Sequence, residues 1–598
     1  LGTNGVVSVD LLSIDLTSVN LFIGVGGAFS GSGSAITTTG ATGFVAQSAN
    51  LSVALAKSTA SGDSRRWTGI AATASKLTMV GLEGVFDATV HDLSVRYNAA
   101  SGTSGSGAAA VAFDWSEIVP STSSPLQGLS SGTTLTVGGR LLLGIGGVVK
   151  LSGALTLSRS TVEGVTNPDA ANTTLKGDLF TLAVTNLTVF VGSGAALNQT
   201  NGTVTVPASN DPAAVGFSLR GGSLMWARFT ARGSASGGAY TDLSSARTYT
   251  GVSASLGKAQ LQGVDSVKLI VTQLSVELNR VSGGTGALNW SQAALSEAQL
   301  PLTASSPSLA IRGSAGFSIA EVVYGSATIS VSQSEVTGVD NPLSSVPSDT
   351  LAGNLLAVSL SNAQLFVGSG ATLNINSADT AFGTVSLPLA NDARAVGFGI
   401  SNGALKLAVF TTGSGVSAMR YTGVKASLGV ARLQGVSAVE MVATNFSVQV
   451  NRVSVGSTLL DWTHGQNDGA SVNNPLSAAG LAITATAPAL QIGGSVGLNL
   501  ADVVYGSAQF TMSRGAVTGV DDPDDTTGAT LTGDLLAVSV SQGNLFIGTG
   551  ASLNLSTGTV SLPASESATA VGFGITNASL NLGLFAANQR VVSGTVSD

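Results

Sequence analysis

The chain has 598 residues, 43% of them hydrophobic and only 10% charged, with 77 glycines, no cysteine and a formal net charge of −8. That apolar content excludes generic disorder, and 25 basic against 33 acidic residues argue against a nucleic-acid partner, which needs clustered Lys and Arg. Without cysteine there is no disulfide, thiolate metal site or Cys nucleophile, and no run of about 18 apolar residues offers a transmembrane helix.

In chain order, the first recurring element is Phe22–Ser30 (FIGVGGAFS), which returns at Phe190–Asn198, Phe366–Asn374 and Phe546–Asn554. The leading phenylalanines are 168, 176 and 180 residues apart by subtraction. A GF marker follows at Phe44, Phe217, Phe398 and Phe573. Next come Trp67–Ile70 (WTGI), Tyr249–Val252 and Tyr421–Val424 (both YTGV), then Trp115, Trp290 and Trp462. Last are Val162–Pro168, Val336–Pro342 and Val517–Pro523. Order is kept throughout, so the chain is a tandem array of about 175 residues per unit. The units are 1–177 (divergent, with a flexible Ser101–Gly107 insertion), 178–353, 354–533 and the start of a fourth at 534–598.

Within a unit, apolar residues alternate with small or polar ones, as at Leu536, Val538 and Val540, which is the pattern of strands with one buried face. Leu355–Val367, Val396–Phe410 and Val439–Asn451 share a strand–asparagine–strand template. Asn362, Asn402 and Asn445 are read as corners, because asparagine tolerates left-handed backbone. The expected fold class is all-β, an elongated β-solenoid of tandem repeats; the alternative is a string of β-sandwich modules. A transmembrane β-barrel shares the alternation but wants aromatic girdles, and aromatics are 5% here and follow the repeat.

Chemistry-bearing motifs are sparse. His91 and His464 occupy non-equivalent positions, so neither supports a Ser-His-Asp triad. Gly24–Gly27 and Gly144–Gly147 do not open helices, so they do not read as phosphate loops. Asn186, Asn445, Asn554 and Asn577 begin Asn-x-Ser/Thr triplets that a Ser/Thr-rich chain generates anyway. The weak metal candidates are Asp340, Asp521, Asp522 and Asp524, on turns whose carboxylates suit calcium, against the plainer reading of solvated Asx-Pro turns. No other cofactor is expected. Trp115, Trp290 and Trp462 read as core positions rather than sugar-stacking platforms.

Long, Cys-free, Gly/Ser/Thr/Val-rich units with asparagine corners resemble those of giant tandem-repeat bacterial surface proteins, adhesin-like or filament-forming. The resemblance implies an extracellular or cell-surface location and a non-enzymatic, structural role. The array begins and ends within a unit, and the expectation is a fibre continued head to tail by further repeats or identical copies, with cell-surface or matrix polysaccharide as a second partner. Other readings are an adhesin stalk, a surface-layer lattice protein and a carbohydrate-acting β-helix enzyme.

Overall fold

The computed structural model describes residues 7–30, 35–118, 125–208, 211, 214–264, 266–344, 346, 348–376, 378–390, 392, 394–413, 418–436, 438–463, 474–525, 528–564, 567, 569–592 and 595–597. The fold is all-β; among the described residues the helices are short 3-10 turns such as Trp115–Glu117 and Ala293–Ala298. The chain divides into two units, Leu1–Val264 with Gln273–Ser308, and Asp265–Thr272 with Leu309–Asp598.

The first unit holds β1 (Val9–Val25), β2 (Thr42–Ser58), β3 (Arg66–Val80), β4 (Phe86–Ser101), β5 (Thr133–Ile145), β6 (Val149–Thr166), β7 (Thr174–Ser193), β8 (Val215–Ala235) and β9 (Thr241–Gln262). Each pairs antiparallel with the next in sequence. Strand β10 (Val267–Ser282) is divided between the two units. The second unit repeats the meander with β11 (Leu309–Ile319), β12 (Val323–Asp340), β13 (Thr350–Ser369), β14 (Val396–Thr412), β15 (Met419–Gln434), β16 (Val439–Val453), β17 (Leu490–Leu500), β18 (Val504–Asp521), β19 (Thr530–Thr549), β20 (Val571–Val592) and β21 (Thr595–Ser597). These too pair in order, all antiparallel.

This sequential antiparallel pairing corrects the solenoid expectation, since a coil stacks successive turns and does not return strand by strand. The reason lies in the asparagines. Asn362, Asn402 and Asn445 do have left-handed backbone, φ 51, 51 and 52°, but each sits inside one continuous strand. They are bulges: an extra residue is accommodated and the strand runs on. Ser18, Ser48, Asp92, Asn186, Gly221, Gln542 and Asn577 repeat the device in their own strands. One extra residue shifts the alternation by one, so in β13 the covered face passes from Leu355 and Ala357 to Phe366.

One face of each sheet is covered by the chain's own loops. Above the bulge line lie long arches, each anchored by a buried tryptophan. In the arch after β10, Asn279 Nδ2 donates to the carbonyls of Leu288 (2.9 Å) and Thr303 (3.0 Å), and Trp290 Nε1 donates to Asn279 Oδ1 at 3.1 Å. Asn98 with Trp115, and Asn451 with Trp462, do the same. The WTGI and YTGV glycines lie beneath these rings: a Cβ at Gly251 would come within 2.8 Å of Trp290, and one at Gly423 within 2.8 Å of Trp462. Below the bulge line small hairpins cover the same face. Val204, Val385 and Val560 cap Phe190, Phe366 and Phe546 respectively, the phenylalanines of the first repeated element.

Candidate lipid-facing surface

All six buried clusters among the described residues lie on the arch-and-hairpin side. The opposite side of each sheet is apolar too. In the first unit Leu16, Leu51, Ala72, Val95, Val137, Leu157, Leu182, Trp226 and Val252 stand in register across nine strands. None of them is buried. In the second unit the matching row is Ile329, Leu360, Leu405, Ala426, Val448, Ile492, Met512, Val538 and Leu582. Ile329 is 40% exposed and Leu582 49%. Side chains flanked by strand neighbours but roofed by nothing have this half-buried character, and a continuous apolar patch of this extent marks an interaction surface.

The band has two unlike rims. Below the bulge line, Phe86, Ile145, Val149, Val191, Phe217 and Leu261 form one register row. In the second unit Val323, Val367, Phe398, Leu433, Met441 and Leu498 form another. The recurring GF phenylalanines, Phe44, Phe217, Phe398 and Phe573, all occupy this lower edge. Next to it, Val496, Leu498, Gly506, Ala508, Leu545 and Ile575 line an open apolar trough of about 400 Å³, because Gly506 has no side chain.

The upper rim is charged. Arg159 lies 3.7 Å and Arg232 2.7 Å from Asp178, and in the second unit Arg514 lies 3.0 Å from Asp534. Between the rims the mid-strand polar groups turn to the covered side. Arg140, opposite His91, bonds Asp92 at 2.6 Å and the Asn201 carbonyl of a covering hairpin at 2.9 Å. Lys406 likewise reaches the carbonyl of Gly480 in an arch.

Of the residues singled out from sequence, Asn362, Asn402 and Asn445 are exposed bulge positions. Asp340 and Asp521 end β12 and β18. Asp522 is engaged by Arg590, whose Nε donates to it at 2.5 Å, and Arg590 Nη2 lies 3.1 Å from Asp525. The Arg590 hydrogen bond holds the Asp522 carboxyl below the usual carboxylate range. Asp524 donates its backbone N–H to Asp522. A guanidinium therefore fills the position the calcium reading gave to a cation, and among the described residues no group of three metal-ligating side chains gathers. His91 is buried beside Gly202, and His464 lies outside the described residues. Gly146 and Gly147 form a strand-end turn with φ 57 and 69°. Trp115, Trp290 and Trp462 are buried under their arches and offer no sugar platform.

Sequence reasoning missed the apolar open face and the asparagines that hold the arches. A signal existed for the second: Asn-Arg-Val stands eleven residues before the tryptophan at both Asn279 and Asn451.

No family model and no curated protein matches this chain. Solved structures that are similar include the ferric yersiniabactin uptake receptor FyuA from Yersinia pestis (TM-score 0.17, 8% identity, 91% of this chain and 77% of that one). Others are the ferric citrate transporter FecA (0.18, 8%, 96% and 77%) and the pyoverdine outer membrane receptor FpvA from Pseudomonas aeruginosa (0.19, 8%, 96% and 78%). At these TM-scores the likeness carries no argument. The fibre built head to tail is corrected, together with the adhesin stalk, the surface lattice, the polysaccharide partner and the β-helix enzyme. The fibre and the β-helix enzyme rested on a coil that closes its apolar residues inside, whereas the strands form a meander with an apolar face turned out.

Proposed function

We propose that this protein is a non-enzymatic, membrane-inserted β-sheet protein of the bacterial cell surface, whose open apolar face contacts lipid acyl chains while its other face is filled by its own arches and hairpins. The carrying observation is the band itself. On β7 it runs from Phe180 to Val191, a span of about 36 Å at the usual rise of a strand. Tilted about 45°, as membrane strands are, it covers about 26 Å, close to the apolar height of outer-membrane sheets. A charged rim above and a phenylalanine row below fit the two interfaces, and from β2 to β19 the backbone groups inside the band are satisfied by strand pairing on both sides, as the bilayer core requires.

The chain carries its own probe. Of five tryptophans, Trp67, Trp115, Trp290 and Trp462 are buried on the covered side, whereas Trp226 is half-buried on the open face. Reconstituted into vesicles of phosphatidylcholine brominated on its acyl chains, the full chain is expected to lose the Trp226 part of its emission, and W226F to lose almost none. Equal, weak quenching of both proteins, with the chain monodisperse in detergent-free buffer, overturns the reading.

A further inference from the structure

We infer that the upper rim of the first unit holds a phosphate-bearing lipid head group at Arg159, Arg228 and Arg232; this rests on the lipid-facing reading and names the lipid. Arg159 and Arg228 stand in register on either side of Phe180, so both guanidinium groups rise from one row of the open face. Arg232 follows two steps of the alternation further up, beyond Thr230, where it donates to Asp178 at 2.9 Å. Asp178 also takes Arg159 at 3.7 Å. Nearby Lys176 and Glu163 neutralise each other at 2.6 Å. Three arginines against one carboxylate leave two positive charges in a patch of a chain whose net charge is −8.

Arg228 is exposed, and no acceptor among the described residues reaches it. Repulsion between these arginines is only partly relieved by Asp178, and an anion that accepts from several guanidinium groups at once completes the set. A phosphate monoester does so by bidentate, charge-assisted bonds.

Directly beneath, Phe180 and Trp226 meet edge to face, ring centroids 5.6 Å apart, on the same side as Leu182 and Val184. A ligand seated here has its anionic end on the arginines and an apolar end running down over the aromatic pair. That is the anatomy of a phospholipid and not of a free ion. The arginine pair is specific to the first unit: in the second, Leu356 stands between Gln333 and Val409, and Leu536 between Arg514 and Leu584.

The test compares Trp226 quenching by two lipids brominated on the same acyl positions, phosphatidic acid and phosphatidylcholine, each at a few mole per cent in an unbrominated phosphatidylcholine bilayer. The wild-type chain is expected to be quenched about five-fold more efficiently by the phosphatidic acid. R228Q and the double variant R159Q/R228Q are expected to bring that ratio to about one, with quenching by phosphatidylcholine unchanged. Equal quenching of the wild type by both lipids overturns the head-group site and leaves the lipid-facing reading standing. No quenching by either lipid overturns that reading itself. Loss of the preference on adding millimolar inorganic phosphate assigns the arginines to a free anion and overturns the lipid assignment.

Discussion

Asn451 does more for this fold than its polarity suggests. Fully buried, it donates to the carbonyls of Leu460 and Thr484 and accepts from the Trp462 indole. Its replacement by alanine strands these partners, each buried polar group costing about 1–3 kcal/mol, so Asn451→Ala is expected to lower stability by about 3 kcal/mol. Chemical unfolding followed by tryptophan emission measures it; a loss below about 1 kcal/mol contradicts the three-bond staple. Asn402 behaves differently. It is exposed with φ 51°, so its worth lies in backbone shape. Asn402→Val is expected to cost about 1–2 kcal/mol and Asn402→Gly next to nothing. Equal costs would place the effect in the side chain instead. Asp169 gives the arch a pH dependence. Burial alone would raise its carboxyl, but the N–H groups of Gly286 and Thr285, the Thr285 hydroxyl and Arg247 outweigh this and hold it below the usual range. A depressed folded value means stability that is full above the unfolded value, near 4, and lost as pH falls through the folded one. Acid titration of the wild type should therefore show a loss of stability below about pH 4 that D169N lacks; parallel acid limbs would rule Asp169 out.

Strands were legible where alternation was uninterrupted, as at Leu536, Val538 and Val540, because a period of two in the apolar residues has one structural meaning. The asparagines were legible as left-handed residues but not as bulges. A corner and a bulge make the same demand on φ, and only the pairing partner, encoded dozens of residues away, decides between them. The open face was illegible for a related reason. Alternating strands show which residues share a face, whereas small residues such as Gly69, Gly251 and Gly423 hide the fact that an arch sits on the other one. These glycines offer a test at this scale. Gly423→Val is expected to push Trp462 off the sheet, since even a Cβ meets Leu481 at 2.5 Å and the indole at 2.8 Å. The readout is a red-shifted emission and a cost of about 3 kcal/mol or more from overpacking and lost burial. An unshifted spectrum would mean that the arch accommodates the side chain. Of the surface site, the GF motif was visible in the sequence, but its place on the rim opposite the hairpins needed the register.

At the scale of the molecule, each long repeat contributes an even number of long strands. Residues 178–353 carry five of them whole (β8 to β12) and most of a sixth, β7; residues 354–533 carry β14 to β18 whole and most of β13. An even count brings the chain back to the edge from which the repeat set out. A gene that duplicates one such segment therefore lengthens the sheet while every arch stays on the same side and every hairpin at the same end. An odd count would reverse the next copy and send its arches to the opposite edge. Parity of strand number thus makes this architecture heritable by simple duplication, and drift between copies, such as Arg228 standing where the later copies have Val409 and Leu584, is then free to specialise one stretch without disturbing the rest.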